Sequence, residues 1–204
     1  MHLVLRCVME YSAGFTKESW SEKEMEITLH LMLDGLNRKE VLDVILTKNL
    51  YQQRSPSSIL NRFQMVYRRS NMLEDPLKEH FMKGNDYDRR ALVLLSFNLA
   101  YRFPKEFFFE VLVNKYLQNE KLLKSDIGYF FEKKALESEK VKQWRPETVK
   151  RLISTLILFF RQSGMIEATS QQEYKIYPLY ISKTLKDYAE KNNSLLSHFS
   201  ELSR

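Results

Sequence analysis

Glycine and proline interrupt this chain rarely, five times each in 204 residues. The interruptions fall where helices would begin or end. Pro56, Pro104 and Pro146 each stand at the first turn of a helical pattern, the place where a fixed φ and a missing N–H do no harm. Gly35, Gly84 and Gly164 each close one, as a left-handed or unencumbered C-terminal residue does. A β-sandwich or barrel needs many tight turns, and a chain this sparsely punctuated does not supply them. The fold class is therefore all-α, and apolar residues recur at helical spacing between the breaks.

The first helix starts from a cap at Thr16 or Ser19 and ends near Leu33, with Trp20, Ile27 and Leu31 inward. Asn37 caps a second over Arg38–Thr47, with Val41, Val44 and Ile45 inward. Ser55 before Pro56 starts a third that runs to about Ser70. Further helices follow over 74–83, 86–102, 104–118, 126–137 (capped by Ser125) and 147–162. Phe107, Phe108 and Phe109 are consecutive, so their helix is expected to be buried on several sides. Met165–Thr169 and Tyr174–Tyr177 form one small β-hairpin around a polar turn, and a last helix spans Lys183–Leu202. A domain boundary is expected at 74/75. Residues 1–74 would form a helix-turn-helix module, and 75–204 a helical, winged-helix-like module carrying the hairpin, about 165–177, and the terminal helix.

Charge gives the first functional signal. The net charge is +6, which suits an anionic partner without demanding one. It is unevenly laid out. From Val44 to Leu73 there is no Asp or Glu, yet Lys48, Arg54, Arg62, Arg68 and Arg69 are present. On the third helix Ile59, Phe63 and Val66 share one face. Ser58, Asn61, Arg62, Met65 and Arg69 fall on another. A solvated helix face ordinarily mixes signs, because Glu–Lys pairs at i, i+4 support it. An acid-free face with Ser, Asn and Arg matches the residue types that reach phosphates and base edges. Double-stranded DNA contact is accordingly expected from Arg62, Arg68 and Arg69, with Ser58 and Asn61 toward the groove. Arg54 and Ser55 would hold a phosphate at the helix start. An acidic protein partner, or a solvated face basic by chance, would also account for the pattern.

A second basic region lies between Lys121 and Arg151, where nine basic residues stand among five acids. Lys124, Lys133, Lys134, Arg145, Lys150 and Arg151 are candidate DNA contacts there, with Lys175 near the hairpin. An ordinary charged surface explains this region equally well. Tyr67 and Tyr129 could stack on bases or pack as half-buried helical tyrosines.

Catalytic and cofactor chemistry leaves no mark. The glycines are isolated, so no phosphate-cradling loop exists. His2, His30, His80 and His198 have no metal-ligand spacing. Cys7 is a lone thiol, which excludes an intrachain disulfide and fits a reducing cytoplasm. The apolar start, MHLVLRCVME, is too short for a signal peptide, and no apolar run reaches membrane-spanning length. No catalytic residue, metal or cofactor is expected, and the protein is expected not to be an enzyme.

Three blocks carry a resemblance. They are YSAGFTKESW at Tyr11–Trp20, NLYQQRSPSS at Asn49–Ser58 and SDIGYFFEKKALESEKVKQWRPETVKRL at Ser125–Leu152. In this order they resemble the BREX A (BrxA) family of bacteriophage exclusion systems. The resemblance implies a small, cytoplasmic, helical, non-enzymatic protein that binds double-stranded DNA. It implies other BREX proteins as possible partners, at a locus that also encodes a methyltransferase and an ATPase. It also implies a fold partly similar to the antitermination factor NusB, with helix-turn-helix or winged-helix character. Two further readings stand beside this one: an adaptor that docks acidic surfaces of other defence proteins, and RNA binding by analogy with the antitermination fold.

Overall fold

The proline and glycine punctuation becomes helix boundaries in three dimensions. The computed structural model describes residues 10–202, the side chain of Ser194 apart; the readings of Cys7 and His2 fall outside that range. A 3-10 turn (Ala13–Lys17) precedes α1 (Glu22–Leu33), α2 (Arg38–Thr47), α3 (Pro56–Ser70), α4 (Asp75–Lys83) and α5 (Asp86–Ala100). Then come α6 (Arg102–Phe107), a π-helical turn (Phe108–Val113) and α7 (Asn114–Leu117). Strand β1 (Leu122–Leu123) leads into α8 (Lys124–Glu137), α9 (Glu139–Lys142) and α10 (Pro146–Gln162). The hairpin β2 (Ile166–Ala168) and β3 (Glu173–Ile176) follows, then α11 (Lys183–Asn192) and α12 (Ser194–Glu201).

Local chemistry accounts for the starts and stops. Asn37 Oδ1 accepts from the backbone N–H groups of Lys39 and Glu40 at 2.9 and 3.2 Å, and Glu40 accepts back from Asn37 N at 2.8 Å. That reciprocal box begins α2. Ser55 Oγ accepts from Ser58 N at 3.2 Å with Pro56 beside it, and so begins α3. Gly35 and Gly164 take φ of 84° and 87°, the left-handed turn after α1 and α10 that a side chain resists.

Four expectations are corrected. The first helix begins at Glu22, after a separate 3-10 turn. Its buried positions are Met25, Thr28 and Leu29, whereas Trp20, Ile27 and Leu31 are half-buried. The segment is apolar on more than one side, so packing chose the inward face. Thr28 is tolerated there because its hydroxyl donates to Glu24 O at 2.8 Å and lies 2.6 Å from Tyr51 OH. Second, the helix expected over 104–118 is interrupted by the π turn, which re-aims successive side chains. Phe107 and Phe108 are both buried as a result, against Phe130 and Phe160 and against Phe199 respectively. Third, the terminal helix breaks at Asn193, whose side chain accepts from Leu196 N at 3.0 Å and starts α12 afresh. Fourth, the hairpin has a third strand. The order is β1-β3-β2, all antiparallel, with Leu122 opposite Tyr174 and Ile166 opposite Ile176. Two residues are too few to show a strand period in a sequence.

The core does not divide at 74/75. One cluster of buried side chains runs from Tyr11, Phe15, Met25 and Leu29 through Val66 and Leu73 to Leu77, Phe81, Phe159 and Leu202. Val41, Ile45, Tyr51, Ile59 and Phe63 form a smaller cluster under α1, α2 and α3. α1 and α3 are thus joined to the rest by the main core itself, while α2 packs on the smaller cluster.

Candidate nucleic-acid interface

Helix α3 buries Ile59, Phe63 and Val66, as its spacing requires. The opposite side exposes Ser57, Asn61, Gln64 and Arg68, spaced i, i+4, i+7 and i+11 along one stripe. Asn61, Gln64 and Arg68 of this stripe form one wall of a cleft of about 420 Å³. The 3-10 turn forms the other wall, with Gly14, Thr16 and Lys17. The Arg68 guanidinium lies over the Tyr101 ring at 4.7 Å, and the residue is exposed. Among the described residues no carboxylate lines this cleft. Gln64 and Lys17 were not among the expected contacts. Gln64 could have been found by drawing the acid-free stripe one position further round; Lys17 carried no signal at all.

The other predicted residues of α3 separate sharply. Ser58 and Arg54 are exposed. Ser55 Oγ is already engaged in capping, so its contribution to an anion would come through the helix start rather than through a free hydroxyl. Arg62 is half-buried and donates to Ser19 Oγ and Ser21 Oγ at 2.8 Å each, with Glu24 at 3.5 Å. It ties α3 to the start of α1. Arg69 is corrected outright. Its side chain is fully buried and pairs with the equally buried Glu18 at 3.1 Å. It donates to Ser19 O and Trp20 O at 3.0 and 3.2 Å and lies over the Phe159 ring at 5.0 Å. Burial lowers its pKa and the Glu18 charge opposes that; a guanidinium stays charged regardless. Arg69 cannot reach a phosphate in this arrangement.

The second basic region divides in the same way. Lys134 is buried, with its ammonium 2.6, 2.9 and 3.1 Å from Glu110, Glu106 and Glu137. Burial works against its charge, but the hydrogen bonds it donates to these three carboxylates outweigh that and push the pKa up. Lys133 pairs with Glu110 at 3.1 Å. Both lysines are thereby neutralised, against their expected role. Lys124, Arg145, Lys150, Arg151 and Lys175 are exposed, and among the described residues no carboxylate pairs with them. Lys175 sits at the hairpin with its ammonium 5.0 Å from the Tyr177 ring. Lys150 and Arg151 lie in the first half of α10, beside a cleft of about 470 Å³ that Ser154, Glu147 and Thr16 also line. Thr16 is therefore common to both clefts.

Elsewhere, the described residues include no group of three or more His, Cys, Asp or Glu able to hold a metal ion, and no helix long and apolar enough to cross a membrane. The molecule is, in class, a helical protein with a small antiparallel sheet and free cations lining two adjoining clefts. The chain belongs to the BrxA family, whose model matches residues 9–193. A "BREX protein BrxA" of Bacillus cereus (strain H3081.97) is 28% identical over 145 residues, covering 71% of this chain and 72% of that protein. The fold is shared with the crystal structure of an uncharacterized protein from Magnetospirillum magneticum. That match has a TM-score of 0.80 at 16% identity and covers 96% of this chain and all of the other.

Proposed function

We propose that this protein is a non-catalytic, double-stranded-DNA-binding component of a bacterial phage-exclusion system. Family membership and the BREX protein named among its relatives support the place in defence. The observation that carries the DNA reading is the α3 stripe of Ser57, Asn61, Gln64 and Arg68, exposed beside a cleft that no carboxylate lines. A carboxylate there would repel phosphate, while Asn, Gln and Arg are suited to base edges and backbone. The order β1, α8, the short α9, α10, β2, β3 with sheet order β1-β3-β2 also supports a winged-helix reading. In that reading α10 is the helix presented to DNA, and the turn between β2 and β3 is the wing, with Lys175 at its base and Lys124 at the start of α8. α2 and α3 supply a second helix pair of helix-turn-helix type.

Fluorescence anisotropy of a labelled duplex across a salt series tests the reading. The expected result is a steep linear fall of log affinity with log salt, weakened in Asn61→Ala/Arg68→Ala. Those residues are exposed, so the variant keeps its fold. Absence of duplex binding at low salt overturns the reading, and acidic protein surfaces then become the better account of the free cations.

A further inference from the structure

We propose that α3 and α10 do not bind DNA separately: a single duplex lies across both clefts at once, with Lys17 of the 3-10 turn as the anchor between them. This rests on the DNA-binding reading above and specifies its site.

Three observations carry it. The clefts adjoin, because Thr16 lines each. One is bounded by Asn61, Gln64 and Arg68 of α3, the other by Lys150, Arg151 and Ser154 of α10. Regions that sequence treats as independent, about 90 residues apart along the chain, thus open onto one strip of surface.

The cations on that strip are also free. Among the described residues, Lys17, Arg68, Lys150 and Arg151 have no carboxylate partner, and Glu147 is the one acid lining either cleft. Several other surface lysines are paired, Lys115 with Glu120, Lys121 with Glu173, Lys140 with Glu10 and Lys142 with Glu139, whereas Lys124 and Lys175 are free as well but line neither cleft. An unpaired cation keeps its full field for a phosphate, whereas a paired one must first lose its partner.

The third observation is rigidity. The buried Arg69 of α3 holds Glu18 and the carbonyls of Ser19 and Trp20, and its guanidinium packs on Phe159 of α10. Trp20 meets the same Phe159 ring edge-on at 5.5 Å. The segment carrying Lys17 is thus clamped between the two helices. Surfaces fixed relative to one another engage a ligand together without a further ordering cost.

The test uses the full chain and duplexes both shorter and longer than one helical turn, about 10.5 base pairs. Lys17→Ala, Lys150→Ala/Arg151→Ala and Asn61→Ala/Arg68→Ala are compared with the unaltered protein by anisotropy over a salt series, with stoichiometry at saturation. The expected result is one duplex per chain, with every variant weakened. The salt slope should fall by about 0.9 for each phosphate contact removed, and the effect of Lys150→Ala/Arg151→Ala should vanish on duplexes too short to span both clefts. If the α3 variant weakens binding while Lys17→Ala and Lys150→Ala/Arg151→Ala leave affinity and slope unchanged, the composite site is overturned and the α3 reading stands. Two duplexes per chain at saturation overturns it as well. No duplex binding by the unaltered protein removes both readings together.

Discussion

The α3 stripe and the α8 surface both stand out in sequence for their basic residues and differ in what their charges can do. Both are rich in lysine or arginine. On α8, Lys133 and Lys134 face Glu106, Glu110 and Glu137, and Lys134 is enclosed by all three. On α3, Arg68 lies over the face of Tyr101, and among the described residues no carboxylate lines the cleft beside it. The α8 cluster spends its positive charge on holding the π turn, α6 and α8 together. The α3 surface leaves Arg68 without a carboxylate partner among the described residues. The acids of the second region already set the two apart in the sequence; which cations they and the distant glutamates pair with, only the packing shows.

Arg69 is the exception on α3, and altering it should produce the largest effect. Arg69→Met leaves the Glu18 carboxylate buried without its partner, a loss expected to cost about 3–5 kcal/mol, measured by urea unfolding. Glu18→Gln/Arg69→Met should recover part of that, since no buried charge then remains. A mild effect of the single substitution would show that Arg69 is no more a structural bolt than Arg68.

Lys134→Met should be the next largest, at about 2 kcal/mol, below the range for a fully buried pair because its glutamates are partly hydrated. Duplex affinity and salt slope, measured on the folded variant, should not change. A reduced slope would mean that Lys134 contributes to binding and would erase the contrast between the two surfaces.

The dependence of stability on pH should show the same internal network. Burial and the hydrogen bond to Glu106 push the Tyr11 phenol up to about 12, and burial also raises Tyr51 and Tyr101. A raised phenol favours the folded state fully below its ordinary value. That advantage is lost as pH climbs through the folded value, because the unfolded chain ionises first. Stability should therefore decline from about pH 10 upward, and Tyr11→Phe should make the decline shallower. An unchanged alkaline limb would show that Tyr11 is not held by Glu106. Glu106 itself works at the other end. Burial raises its carboxyl, but hydrogen bonds from Tyr11, Arg102 and Lys134 outweigh that and hold it low. Its contribution should accordingly be lost as pH falls below the usual carboxylate range.

The smallest effect sharpens the comparison most. Arg68→Ala should lower the salt slope of duplex binding by about 0.9, one phosphate contact, with no measurable change in stability. Lys133→Ala, on the paired surface, should lower it by nothing. Equal slopes for the two variants would break the distinction between free and paired cations.

Much of the fold was legible. Asn37, Ser55 and the helix-opening prolines mark real boundaries because capping is a local transaction, completed within four residues. The hairpin was legible from its alternation and polar turn. The two-residue β1, the π turn and the inward face of α1 were not, since each depends on what packs against it. The exposure of Ser58, Asn61 and Arg68 was legible because α3 is amphipathic with a clear period. Arg69 misled because the same period carries it round to the side that the 3-10 turn and α10 cover.

By itself the sequence determined that the chain is helical, where most helices start and stop, and that one stretch of 30 residues carries no acid. These depend on backbone sterics, capping and composition, which act over a few residues. The tertiary structure alone decided which cations are free. Glu18 reaches Arg69 and Glu110 reaches Lys134 only because helices distant in the chain pack together. Coulomb attraction and desolvation act through space rather than along the chain. The same packing brings Lys17, Arg68, Lys150 and Arg151 to the walls of two adjoining clefts.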